Sequence, residues 1–451
     1  MQLAKMSTKM SKFSKKPILV EKKYLISFIA ITSMFFLWGV ANDVTNPMVS
    51  AFKKVMPELS NFQAALVQLA FYGGYGTMAI PAALFIRKYN YKSGILIGLL
   101  LYAIGAILFW PAAVYEQFTF FLLSLYILTF GLAFLETTAN PFILSLGDSR
   151  TATQRLNLSQ AFNPIGSLMG MAIAQLIIIE NLRSDDYSPD AYNALSPDQI
   201  AFIRQEDLNI ISEVYVGLGI LIFAVMFVIF FIKIPGKDEK SKLSVKENIS
   251  ILRRNKRYYE GVIAQAFYVG TQIMCWTFIF QYVDNINSDL PDEQHLTASW
   301  YNMAAMCLFL CSRWLCTWLF NFIQPAKLMF LFGIIGMILT SGTILLEGIA
   351  GLYCLIGISM TMSLMFPTIY GIALDGMKEE AKLGSAGLVM AIVGGALMPP
   401  VQATILDWGG PGFSDIQILG FIDEVNFSFI MPLFGLLVVT IYSYRSMNVF
   451  R

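Results

Sequence analysis

Two carboxylates sit deep in apolar stretches of this chain, and each has amides at helical spacing. Asp43 lies in LWGVANDVTNPMVSAF, residues 37–52, beside Asn42, Thr45 and Asn46. Glu136 lies in LETTANPF, with Asn140 four residues on and Pro141 directly after. Residues three or four apart share a helix face, so Asn42, Asp43 and Asn46 make one polar patch, and Glu136 with Asn140 makes another. Pro141 also frees a backbone carbonyl near the second patch. Gln160 and Asn163 repeat the three-residue spacing ahead of Pro164, and Gln68, Tyr72 and Tyr75 add amide and phenol groups. Hydrocarbon penalises such faces heavily, so they point toward a cavity or the interior of a bundle.

Amides and carboxylates offer both donors and acceptors, which suits a polyhydroxylated, neutral solute. Trp38, Tyr268, Trp276 and Phe366 are the aromatics available to cover the apolar face of such a ligand, and each has packing as its plainer alternative. Gln272 and Gln265 are candidates for an opposite wall. Arg313 has two open readings, a structural partner or a group of the site. Glu180, Glu347 and Asp375 fall at the ends of apolar runs and read as interfacial.

The elements that must position these groups follow from composition. The chain has 451 residues, 56% hydrophobic and only 14% charged, and a mean hydropathy of +0.62. Apolar runs of about 20 residues recur throughout, long enough to span a hydrocarbon core. Segmentation gives twelve spans, near 24–52, 62–86, 91–114, 118–146, 155–182, 208–233, 258–285, 295–322, 326–347, 350–375, 384–406 and 425–446. SNFQ at residues 60–63 opens the second with a capping-box spacing. The expected fold is therefore all-α, twelve transmembrane helices in two six-helix bundles within a lipid bilayer. Residues 1–23 form a basic tail with seven lysines, 24–233 the first bundle, 234–257 a charged connector, 258–446 the second bundle and 447–451 a short tail.

Charge orients these spans. Lys and Arg collect in the N-terminal tail, at Arg87, Lys88, Lys92, Arg150 and Arg155, in the connector, and at Lys378 and Lys382. The alternate loops are acidic, with Asp185, Asp186, Asp190 and Asp198 in one and Asp284, Asp289, Asp292 and Glu293 in another. The positive-inside rule then puts both termini and the connector in the cytoplasm, as expected for a bacterial inner-membrane protein. A faint repeat, NPFILSLGD in span four against FPTIYGIALDG in span ten, fits two parallel halves holding a solute between them.

Several motifs taken together resemble the fucose:proton symporter family of the major facilitator superfamily: FFLWGVAND (35–43), NFQAALVQLAFYGGY (61–75), LETTANPF (135–142), RLNLSQAFNPIG (155–166), QAFYVGTQIMCW (265–276), FPTIYGIALDG (366–376) and IVGGALMPP (392–400). They cover both halves in order. The resemblance implies an alternating-access carrier that couples uptake of a neutral sugar, L-fucose by family, to a cation that is usually a proton. It also implies a functional acid in span one, a glutamate in span four matched by Glu136, and an asparagine in span five matched by Asn163. In span one the family pattern Asn-Asn-x-Asn-Asp meets Asn42-Asp43-Val44-Thr45-Asn46 here. The acid is displaced by three residues, roughly 4.5 Å along the axis and about 60° around it. Phe366 stands where the resemblance implies a tyrosine. On this reading Asp43 and Glu136 are the proton-coupling pair.

The competing readings are a sodium-coupled or facilitative carrier of glucose- or galactose-type hexoses, and a drug or metabolite exporter with a more apolar cavity. An enzyme or sensor has little support: no nucleophile–base set, phosphate loop or cofactor motif is present, and the single histidine, His295, lies near a loop. Cys275, Cys307, Cys311, Cys316 and Cys354 all lie in apolar segments without metal-ligand spacing, and read as packing residues. Nothing in the charge distribution suggests a nucleic-acid partner.

Overall fold

Proline, glycine and capping residues set several of the helix ends and close contacts in this chain. The computed structural model describes residues 18–45, 48–56, 59, 61–187, 192, 194–232, 244–288, 290–377, 379–406, 408 and 416–448. Among the described residues, twelve helices are long and apolar enough to cross a membrane: Lys22–Thr45, Leu69–Lys88, Tyr91–Val114, Phe118–Ser145, Ser149–Asn181, Pro197–Phe231, Lys256–Ser288, Ala298–Leu319, Pro325–Leu345, Gly348–Ala373, Ala381–Leu406 and Glu424–Met447. They are spans one to twelve below. A two-residue antiparallel ladder, Gln417–Ile418 with Ile422–Asp423, is the described exception to an all-helical chain.

The helix of span one is described as far as Thr45, and Met48–Val55 is helical beyond it. Asn46 and the serine of SNFQ lie outside the described residues. One boundary differs from those read in the sequence. Span six begins at Pro197 rather than near residue 208, because Ser196 and Gln199 form a capping box with proline in the first turn. Part of the acidic loop is thus helix. Asp207, within it, is buried and accepts from the backbone N–H groups of Arg183 at 2.7 Å and Ser184 at 3.1 Å.

Spans one to six form one bundle and seven to twelve the other, and in the first spans one and five pack closely together. Glycine makes that approach possible. A Cβ at Gly39 would land on the Asn163 carbonyl, and one at Gly166 on the Phe36 carbonyl. The polar faces of the two spans are thereby brought side by side.

Arg155, expected as a loop charge, is fully buried instead. It donates to the carbonyls of Ile143 at 2.8 Å, Leu144 at 2.6 Å and Leu19 at 2.9 Å. The first two lie in the last turn of span four, where the Ile143 carbonyl also accepts from the Leu146 N–H and a cation complements the helix dipole. Arg155 therefore fixes the end of the helix that carries Glu136.

The bundles meet where span eleven packs on two and four, ten on five, and eight on five. Ser385 Oγ donates to the Thr137 carbonyl at 3.0 Å, Asn157 Nδ2 to Thr368 Oγ1 at 3.3 Å, and Gln154 Nε2 to the Thr317 carbonyl at 3.2 Å. By the alternation of crossings, all three bonds lie in the half of the spans nearest the connector between spans six and seven. Span five is interrupted between Ala152–Gln160 and Asn163–Ile173, and span ten between Gly348–Met362 and Met365–Ala373. Each break precedes a proline, Pro164 or Pro367, whose missing N–H interrupts the ladder.

Candidate functional site

A cavity of about 130 Å³ lies between the bundles. Spans one, two, four and five supply one wall, with Asn42, Tyr72, Glu136, Gln160 and Asn163. Spans seven, eight, ten and eleven supply the other, with Tyr268, Gln272, Trp276 and Phe366 among its members. Of the residues singled out by helical spacing, Asn42, Tyr72, Tyr75, Glu136, Gln160 and Asn163 line this one space. Phe35, Tyr75, Ser167, Met306, Phe309 and Arg313 complete much of the lining.

Hydrogen bonds hold the polar wall in place. Gln160 Nε2 donates to Asn140 Oδ1 at 3.0 Å, and Asn163 Nδ2 donates to the Phe35 carbonyl at 3.2 Å. Asn140 is itself fully buried and stands behind Gln160 rather than at the surface of the cavity. Tyr75 faces Glu136 closely enough for a hydrogen bond between their side chains. Asp43 is buried and is not part of the lining; Asn42 Nδ2 donates to its Oδ2 at 3.3 Å. Asn46 and the side chain of Gln68 lie outside what the structure describes. Gln265 is fully buried away from the cavity, so it does not complete the second wall.

The second wall is mostly rings. Trp276 packs edge-on against Phe309 with centroids 5.3 Å apart, and Tyr268 against Phe366 at 6.2 Å. Trp276 Nε1 is committed to Ser359 Oγ at 3.1 Å, which fixes the indole face. Arg313 lies with its guanidinium 4.7 Å from the Phe309 centroid. Three buried atoms of lining residues take no hydrogen bond among the described residues: Trp38 Nε1, Glu136 Oε2 and the Tyr268 hydroxyl. One face of the space is thus rich in amides and carries an acid, the opposite face offers apolar ring surface, and unfilled hydrogen-bonding capacity lies on both.

One lining residue was readable and overlooked: Ser167 follows Asn163 by four residues and shares its face. Phe35, Met306 and Phe309 carry no such signal, being apolar residues in apolar helices.

Residues 24–399 match the sequence pattern of the Major Facilitator Superfamily. The chain is 52% identical to an L-fucose-proton symporter of Haemophilus influenzae over 96% of its own length and 99% of the relative's. It is 27% identical to a glucose/galactose transporter of Brucella abortus, over 86% and 89% respectively. A crystal structure of a Major Facilitator Superfamily transporter, FucP, in the outward conformation superposes with a TM-score of 0.82 at 32% identity, covering 94% of this chain and 99% of that one.

Proposed function

This chain belongs to the Major Facilitator Superfamily, and we propose that it is a symporter bringing L-fucose across the bacterial cytoplasmic membrane with a proton. The observation that carries this reading is one cavity in which an amide-rich wall carrying Glu136 faces a wall of aromatic rings. A small polyol offers hydroxyls to the first wall and an apolar ring face to the second. The L-fucose-proton symporter of Haemophilus influenzae, alike along nearly its whole length, supplies the sugar and the ion.

Glu136 is the proton site in this mechanism. A charged carboxylate in a closed, water-poor cavity opposes the occluded state, whereas a neutral carboxyl does not. Loading a proton on Glu136 and a sugar beside it therefore favours the state that reorients. Asp43, held by Asn42 just behind the cavity, is the second acid of the pair. Asn42, Asn163, Gln160 and Gln272 make the hydroxyl contacts, with Asn140 supporting Gln160. The two bundles, taken as residues 24–233 and 258–446, rock about this site, with both termini and the connector on the cytoplasmic face. The protein acts as a carrier, and no covalent chemistry is asked of it.

Counterflow in proteoliposomes against a panel of neutral sugars tests this reading. L-fucose should exchange at the lowest concentration, and an imposed pH gradient should drive its accumulation. Preference for glucose or galactose, or accumulation that follows sodium alone, would replace it with the hexose carrier.

A further inference from the structure

Proline lacks an N–H, so the carbonyl four residues before it loses its helical partner. Pro164 does this to Gln160, Pro367 to Ser363 and Pro141 to Thr137. Side chains of the second bundle take all three carbonyls. Arg313 Nη1 donates to the Gln160 carbonyl at 3.1 Å, Arg313 Nε donates to the Ser363 carbonyl, and Ser385 Oγ donates to the Thr137 carbonyl at 3.0 Å. Arg313 thus joins a freed carbonyl of one bundle to a freed carbonyl of the other.

Arg313 is 3% exposed and lines the cavity. Among the described residues no carboxylate forms a salt bridge with it. A guanidinium remains charged throughout the physiological range and presents its donors in a planar fork. Here two peptide carbonyls and the Phe309 ring answer a charge that would otherwise need an acid. Gln160 is bound at both ends: its carbonyl holds Arg313, while its carboxamide lines the cavity and donates to Asn140.

We propose that Arg313 is a positioning residue of the transport cycle, a clip between the proline-freed carbonyls of Gln160 and Ser363. It holds the bundles together on the connector side and releases Gln160 when the cavity opens to that side. Opening lets water reach both the guanidinium and the bare carbonyl, so release of the clip and hydration occur together. Because Gln160 also faces the solute, occupation of the cavity bears directly on one end of the clip. This inference rests on the transport reading, though not on which sugar is carried.

The test uses the full chain in inside-out vesicles without sugar, with the native cysteines replaced by serine and Thr153→Cys as reporter. Thr153 packs on Gly371 across the bundle interface, so its labelling by an impermeant maleimide reads separation on the connector side. Arg313→Gln removes the clip. Pro164→Ala returns an N–H to the Gln160 carbonyl and competes with Arg313 from the other bundle. Each should raise the labelling rate about tenfold, the shift expected on losing one charge-assisted hydrogen bond. Combining them should add little, and Arg313→Lys, a single-point donor, should fall between. Unchanged labelling in Pro164→Ala and Arg313→Gln, with only a raised KM in counterflow for the arginine variant, would overturn the clip and leave Arg313 a sugar contact. Fully multiplicative effects would overturn it as well. Should Arg313→Gln not fold, Pro164→Ala and Arg313→Lys still decide.

Discussion

Glu136→Gln separates coupling from binding. The substitution keeps the shape of the side chain, preserves an acceptor for Tyr75 and removes the group that takes up a proton. Glu136 Oε2 has no hydrogen-bond partner among the described residues, so no protein contact at that atom is broken. Replacing it by an amide nitrogen alters at most one hydrogen bond to the sugar, about 0.5–1.5 kcal/mol, or roughly two- to twelvefold in Kd. The effect on coupling is much larger. With one proton per sugar, a pH difference of about one unit supplies about 1.4 kcal/mol and supports an accumulation ratio of about tenfold. Without a titrating group the ratio falls to one. Counterflow needs only reorientation of the loaded carrier, with no net proton movement, and should persist. Both assays run in the same proteoliposomes: counterflow of labelled L-fucose at fixed pH, and uptake driven by an acid exterior. Accumulation of several-fold by Glu136→Gln would refute the assignment, and accumulation lost in Asp43→Asn with normal binding would move coupling to Asp43. Loss of counterflow in a correctly folded Glu136→Gln would also refute it, because the acid would then be needed for reorientation itself.

Asn163→Ala should weaken sugar binding by about tenfold or more, since it removes an amide from the polar wall; unchanged affinity by tryptophan fluorescence or calorimetry would leave only its bond to the Phe35 carbonyl. The paired change Asp43→Asn with Asn46→Asp should retain accumulation if an acid at either position serves span one, and loss of accumulation with intact binding would show that the displaced position matters. Arg155→Ala strips buried carbonyls at the end of span four of a donor, and should cost about 3 kcal/mol or more, read as a lowered Tm in detergent. Cysteines placed at Ala194 and Lys246 should label from opposite faces of the membrane; labelling from one face would overturn the topology.

What could be read from the sequence was periodic. Asn42, Glu136, Gln160 and Asn163 announce an inward face because polar groups three or four apart in hydrocarbon have nowhere else to go, and all four line the cavity. Apolar lining is silent by the same logic: Phe309 or Met306 in an apolar helix reads alike whether it meets lipid, core or ligand. Depth is also hidden. Asn140 shares a face with Glu136, yet its side chain stands behind Gln160, because periodicity fixes direction and not distance from the axis of the bundle; Asp43, one residue past Asn42, is turned about 100° away from it. The charge pattern misplaced Arg155, whose surroundings depend on carbonyls brought near by tertiary packing.

Prolines were legible as breaks, but their consequence was not. A break says that a carbonyl is free, while the donor that takes it lies on another span, more than a hundred residues away for Gln160 and Arg313. The two walls also divide the work unequally. The first bundle holds Glu136 and most of the lining amides, so on the proposed mechanism the proton and the hydroxyl contacts travel together. The second brings ring faces, Gln272 and a cation that does not titrate in the physiological range. Moving it aside exposes the acid to water without dismantling the amide array that orients the sugar. On the proposed mechanism, coupling then requires only that closure be disfavoured while Glu136 is charged and favoured once it is neutral, and the contacts that close the connector side, Arg313 to Gln160 and Ser385 to Thr137, are made to two of the four helices that build the polar wall.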